Sequence, residues 1–150
     1  MVQNQYDIYL QTALSIAKDA GEVLLQFLGQ LKDVREKSAA GDLVTEADHA
    51  SEKIILTALK RAFPEHTILS EESGLHPIEG SDFIWSVDPL DGTTNYTHGI
   101  PFFAVSIALL FRGEPIVGVV HNPFLSETFS ATKGGGATRN EVKIQVSQVP

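Results

Sequence analysis

Phe83-Ile84-Trp85-Ser86-Val87-Asp88-Pro89-Leu90-Asp91-Gly92-Thr93-Thr94-Asn95 is an apolar run that ends in two acids and a glycine turn. The run reads as a buried strand that delivers Asp88 and Asp91 to one point, with Pro89 stiffening the chain between them. Such an ending packs poorly but suits a hard cation, because magnesium takes oxygen ligands in near-octahedral geometry and shares them with substrate phosphates. Gly92-Thr93-Thr94 can then open a short helix, whose first N–H groups lack partners and point at an anion. Upstream, Thr67-Ile68-Leu69 reads as a second short strand running into Ser70-Glu71-Glu72-Ser73. Two strand ends that release acids can converge. Asp-Gly and Asp-Pro are also ordinary turn dipeptides, so on spacing alone a divalent-metal site and a pair of solvated loops are equally good readings.

Outward from this stretch the periodicity changes twice. Residues 6–28 place Leu10, Ala13, Leu14, Ala17, Gly21, Leu24, Phe27 and Leu28 at helical spacing with one buried stripe, and Gly29 is a C-terminal stop. Residues 32–42 read as a polar loop. Thr45 then stands as an N-cap with Asp48 three residues on, and Ala50, Ile54, Ile55, Ala58, Leu59 and Ala62 continue a helix that Pro64 ends. Beyond the acidic motif, residues 102–111 and 115–122 are rich in β-formers and flank Arg112-Gly113-Glu114, the mark of a hairpin. Residues 127–132 alternate. Gly134-Gly135-Gly136 lacks the Lys-Ser/Thr ending of a phosphate loop and reads as a tight turn. A last strand over residues 143–149 is expected, with Val142, Ile144 and Val146 on one side. Helices first and antiparallel strands afterwards predict an α+β fold, two helices covering one face of an antiparallel sheet.

The 150 residues are the usual size of one domain, and 43% apolar content argues against disorder. No apolar run is long enough for a membrane span. The start, Met1 to Asp7, lacks the basic and apolar regions of a secretory signal, so a cytoplasmic location is the default expectation. There is no Cys, hence no thiolate nucleophile and no Cys-based zinc site. Nineteen acids against 11 Lys plus Arg give a formal charge of −8, which disfavours nucleic acid and anionic membrane as partners. An anionic substrate would also be repelled unless bound cations invert the local field. Glu52, Glu65, Glu79 and Glu114 read as parts of a solvated face. The five histidines, at 49, 66, 76, 98 and 121, show none of the close helical pairing of a zinc site and read as surface or packing residues.

Glu71-Glu72, then Trp85-Ser86-Val87-Asp88-Pro89-Leu90-Asp91-Gly92-Thr93-Thr94-Asn95-Tyr96, then Pro101-Phe102-Phe103-Ala104-Val105-Ser106-Ile107 closely resembles the inositol monophosphatase family of magnesium-dependent, lithium-sensitive phosphatases. Lys37-Ser38 with Asp42-Leu43-Val44-Thr45-Glu46-Ala47-Asp48 is similar to an earlier block of that family. The resemblance runs from about the first helix to the end of the chain. It implies the N-terminal metal-binding domain of the layered sugar-phosphatase fold over residues 1–150. A second, C-terminal domain with a Trp-Asp metal motif would lie outside this chain, whose only Trp is Trp85.

The resemblance further implies a Mg2+-dependent phosphomonoesterase that uses two or three Mg2+ ions and acts on inositol monophosphate or a related polyol or sugar phosphate. Glu71, Asp88, Asp91 and the Leu90 carbonyl would ligate the metal, Asp88 bridging two ions. Glu71, Thr93 and Asp48 would act on the attacking water, and Asp91, Gly92, Thr93 and Lys37 would meet the phosphate. A homodimer is the expected assembly. Sister specificities stand as alternatives: fructose 1,6-bisphosphate, histidinol phosphate or a 3′-phosphoadenosine nucleotide. So does a non-catalytic half-enzyme that serves as an interaction module. Three residues keep a plain structural reading beside these roles: Asp48 as a capping acid at a helix N-terminus, Asn95 as a side chain that bonds backbone in the turn, and Lys37 as a solvated loop lysine, an equally good reading of it from the residues alone.

Overall fold

A computed structural model describes residues 3–37 and 43–149. Ser38 and Asp42 of the early block lie outside the described residues. In chain order the elements are α1 (Gln3–Phe27), β1 (Val34–Glu36), β2 (Leu43–Thr45), α2 (Glu46–Ala62), β3 (Thr67–Ser70), β4 (Gly74–His76), β5 (Phe83–Asp91), α3 (Thr93–Thr97), β6 (Ala104–Phe111), β7 (Glu114–Asn122), β8 (Glu127–Thr132), β9 (Gly136–Arg139) and β10 (Val142–Ile144). Eight strands form one sheet in the order β10-β9-β8-β7-β6-β5-β3-β4, and β1 pairs with β2 separately. All neighbours are antiparallel except β3 and β5. The expected α+β arrangement is therefore present, with one parallel pair inside it. That pair is the one that carries the acids, because parallel strands end at the same edge of a sheet.

α1 packs on β6, β7 and β8, and α2 on β5, so both helices cover the same side. Trp85, Val87, Val105, Ile107, Leu109, Val117 and Val119 are buried among them, together with Ala13, Ile16, Ala17, Ala20 and Leu24 of α1 and Ile55 and Leu59 of α2. Small residues dominate the buried stripe of α1, which lets the helix lie close to the sheet. Gly21 shows the limit: a Cβ there would stand 2.8 Å from the His121 ring. α2 starts on a capping box, in which Thr45 Oγ1 accepts from the Ala47 and Asp48 N–H groups and Asp48 Oδ2 accepts from Thr45 N at 2.8 Å.

At the base of β5 an aromatic stack secures the strand. His66 lies nearly parallel between Phe63 and Phe83, with centroids 5.0 and 4.4 Å away. The fully buried Trp85 donates its indole N–H to His66 Nδ1 at 3.1 Å, so this imidazole is neutral and carries its proton on Nε2. Burial lowers the His66 pKa, against the opposing charge of Glu65.

Two sequence expectations are corrected. The last strand stops at Ile144 instead of continuing to residue 149, and neither of its sides is buried, Val146 being 91% exposed. Alternation alone made it look half-buried, yet as the sheet's edge it has no layer to pack against. The 32–42 loop contains β1, whose Val34 and Glu36 pair with Thr45 and Leu43 at the threshold of α2. Among the described residues, no helix is long and apolar enough to cross a membrane.

Candidate metal and phosphate site

β3 and β5 are in register from Thr67↔Ile84 to Ser70↔Val87, and there β3 ends. The Glu71 N–H still donates to Val87 O at 3.0 Å, which fixes the first acid beside the second strand. From Asp88 onward β5 keeps only β6 as a neighbour, and its register slips between Asp88 and Asp91. Pro89 sits in this stretch, where β3 no longer offers an acceptor for the N–H that proline lacks. The Leu90 N–H donates instead to Asp88 Oδ1 at 3.1 Å, and Ser51 Oγ of α2 donates to Pro89 O at 2.6 Å.

Gly92 then turns the chain at φ 85, ψ 38, the left-handed region that favours glycine. A Cβ at this position would also lie 2.9 Å from Phe102 O. Both facts demand glycine. α3 follows at once: Tyr96 N–H donates to Gly92 O at 2.9 Å, and the buried Tyr96 hydroxyl anchors the helix to Leu24 O at 2.6 Å. Asn95 Nδ2 donates to Phe102 O at 2.9 Å, the backbone-bonding role expected of it.

Lys37, Glu71, Asp88, Leu90, Asp91, Gly92 and Thr93, all selected from the sequence, line one cleft of about 260 Å3. Asp88 is half-buried and hydrogen-bonded to Glu71. Burial and the neighbouring Glu71 carboxylate push its pKa up to about 8, while the same hydrogen bond holds Glu71 below its ordinary value. Lys37 Nζ lies 3.3 Å from Glu71 Oε1 and 2.8 Å from Glu72 Oε1. Partial burial works against the Lys37 charge, but the two glutamates outweigh it and raise its pKa.

Asp48 sits behind the cleft and is fully buried. Its Oδ2 is taken by Thr45 N–H and by Thr45 Oγ1 at 2.7 Å, and its Oδ1 lies 3.1 Å from Thr93 Oγ1. The Thr93 hydroxyl is equally 3.1 Å from Leu90 O and has one proton to give to either acceptor. Asp48 therefore combines both of its sequence readings, cap of α2 and partner of Thr93.

Glu52 corrects another expectation. Read as solvated, it is 8% exposed and accepts from Ser70 Oγ, Ser73 N and Ser73 Oγ at 2.6, 3.0 and 2.6 Å. Glu72 was passed over beside Glu71, although its side chain is only 5% exposed and it holds the closer contact to Lys37. A signal for Glu52 did exist: positions 48, 51, 52, 55 and 59 share one face of α2, and that face is buried.

The sequence profile of the inositol monophosphatase family matches residues 5–150. The chain belongs to the inositol monophosphatase family. An inositol-1-monophosphatase from Synechocystis is 49% identical over 142 residues, covering 92% of this chain and 50% of that protein. The crystal structure of the suppressor protein suhB from Bartonella henselae superposes with a TM-score of 0.91 at 42% identity, covering 95% of this chain and 55% of that one. An IMPase/NADP phosphatase crystallised with Mg2+ and phosphate superposes with a TM-score of 0.79 at 26% identity, over 95% of this chain and 53% of the other. The chain spans about half the length of the relatives it matches.

The donors of the cleft suit a hard divalent cation: three carboxylates, one carbonyl and no sulfur. Among the described residues, no group of three or more His, Cys, Asp or Glu side chains is gathered tightly enough to hold a metal ion as it stands. Like-charged carboxylates repel one another, and a bound cation would offset that repulsion.

Proposed function

We propose that the protein is a Mg2+-dependent phosphomonoesterase acting on inositol monophosphate or a related polyol phosphate by attack of water on phosphorus. The observation that carries this reading is the convergence of Glu71, Asp88, Asp91 and Leu90 on one cleft at the ends of two parallel strands. Carboxylates gathered in one cleft repel one another, and a bound divalent cation would relieve that repulsion. The relative crystallised with Mg2+ and phosphate supports the same pairing of ion and anion.

Glu71, Asp88, Asp91 and the Leu90 carbonyl would hold the magnesium. When bound, the ion supplies charge that neutralises the phosphoryl oxygens and lowers the pKa of water. The remaining work falls to the chain. By donating to Asp48 Oδ1, Thr93 Oγ1 turns a lone pair toward the cleft, where it accepts a proton of the attacking water and aims the oxygen at phosphorus. As the water oxygen bonds to phosphorus the ester P–O bond breaks; the water proton passes to Thr93 Oγ1, whose own proton moves onto Asp48 Oδ1, and the departing alkoxide takes a proton from solvent water. N–H groups of Gly92 and Thr93 at the start of α3 receive the phosphate oxygens. Lys37 keeps a positive charge beside Glu71 and Glu72 and prevents the glutamate turn from repelling an anion.

The test is phosphate release from inositol monophosphate with Mg2+ and with a chelator. Mg2+-dependent release that lithium inhibits is expected, and equal release in the chelator would contradict the reading. Faster release from fructose 1,6-bisphosphate, histidinol phosphate or a 3′-phosphoadenosine nucleotide would keep the chemistry and change the substrate.

A further inference from the structure

We propose that Glu52 is a positioning residue for the metal site, fixing the turn that carries Glu71 and Glu72 at a set distance from Asp88. The proposal rests on the metal reading above and adds a residue to it that makes no contact with the cleft.

Ser70 is the last residue of β3, and Ser73 follows the two glutamates. Both donate to the same atom, Glu52 Oε1, through the Ser70 hydroxyl at 2.6 Å, the Ser73 N–H at 3.0 Å and the Ser73 hydroxyl at 2.6 Å. One oxygen therefore grips the start and the end of the turn, and the two acids between them have little freedom to drift. Ser70 is 1% exposed and Glu52 8%, so the Ser70 bond is shielded from water, while the two Ser73 bonds lie at the partly buried rim. On its outer side Ser73 Oγ accepts from His76 Nε2 at 2.7 Å, while His76 Nδ1 accepts from Lys60 Nζ at 3.3 Å. This donor chain runs back to α2 and holds the Ser73 hydroxyl proton toward Glu52.

The opposite arm of the cleft is held by the same helix. Ser51 Oγ fixes Pro89 O and Asp48 Oδ1 faces Thr93 Oγ1. Positions 48, 51 and 52 lie on one face of the first turns of α2. A single rigid element thus grips both strand ends, and Glu52 is its direct tie to the Ser70–Ser73 turn. Groups that orient metal ligands without touching the metal typically change affinity about 10- to 100-fold when removed.

The experiment uses the intact protein, with Mn2+ as the probe, free Mn2+ read by electron paramagnetic resonance, and hydrogen exchange of the Glu71 and Ser73 amides. Glu52→Leu keeps the buried volume but removes the acceptor. It should weaken Mn2+ binding about 10- to 100-fold and accelerate exchange at both amides, with the β6 and β7 amides unchanged. Glu52→Gln keeps an oxygen acceptor and should restore both readouts. If Glu52→Leu fails to fold, Ser73→Ala, at an exposed position, should shift both readouts in the same direction by less. A folded Glu52→Leu with wild-type Mn2+ affinity and wild-type exchange would overturn the proposal, as would a Gln variant no better than Leu. Wild-type protein that binds no Mn2+ would overturn the metal reading instead. The exchange data alone would then decide the clamp, supporting it if protection is lost with Leu and kept with Gln.

Discussion

The cleft acids and the α2 acids are the same functional group used in opposite ways. Asp48 and Glu52 are buried and each accepts three hydrogen bonds from protein donors. Glu71 and Asp91 are exposed, and Asp88 is half-buried with Glu71 and the Leu90 N–H as partners. The difference teaches that the spending of acceptor capacity separates a scaffold carboxylate from a ligand carboxylate. Burial by itself would have marked Asp48 as the strongest candidate and Asp91 as the weakest.

The largest expected effect is on turnover. Asp91→Asn should abolish Mg2+-dependent phosphate release while changing stability by no more than about 0.5 kcal/mol, as surface substitutions do. Asp48→Ala should show the second half of the contrast, a loss of about 1–3 kcal/mol in urea unfolding, because it removes the cap of α2 and strands the Thr45 donors. Stability loss in the Asn variant, or none in the Ala variant, would break the comparison. Thr93 touches both sets. Thr93→Ala should lower kcat by about 100-fold with KM little changed, and a rise in KM alone would remove it from the orientation of water. The smallest effect concerns a buried group kept neutral. Because burial lowers the His66 pKa, the folded state binds this proton less readily than the unfolded chain. Stability from this group is complete above the unfolded value near 6.5 and is lost as pH falls through the lower folded pKa. The His66 imidazole should therefore titrate below 6.5 by NMR, and a titration above that value would contradict its bond from Trp85.

Much of this was legible in the sequence, and the failures have physical causes. The stripes of α1 and α2 and the hairpin at Arg112-Gly113 were readable because periodicity and turn chemistry are local; Arg112 and Gly113 both take positive φ, as a tight hairpin requires. The acids of the cleft were readable because they sit at strand ends, where packing gives them no purpose. β1 escaped notice because Val34-Arg35-Glu36 has only one apolar residue and pairs solely with the segment before α2. β10 was overextended because alternation cannot tell a half-buried strand from an edge strand with nothing above it. Glu52 was misread because a glutamate on a helix is ordinarily solvated, and its donors lie 18 and 21 residues away. Its burial depends on where β3 ends, which is a property of the sheet and not of the helix.

The central claim is that the cleft acids, and not the α2 acids, hold the divalent cation. The most direct measurement is calorimetric titration of Mg2+ into the wild-type protein and its Asp88→Asn variant. Saturable binding in the wild type that disappears in a cooperatively folded variant is the expected result. Equal binding in the two proteins would contradict the assignment.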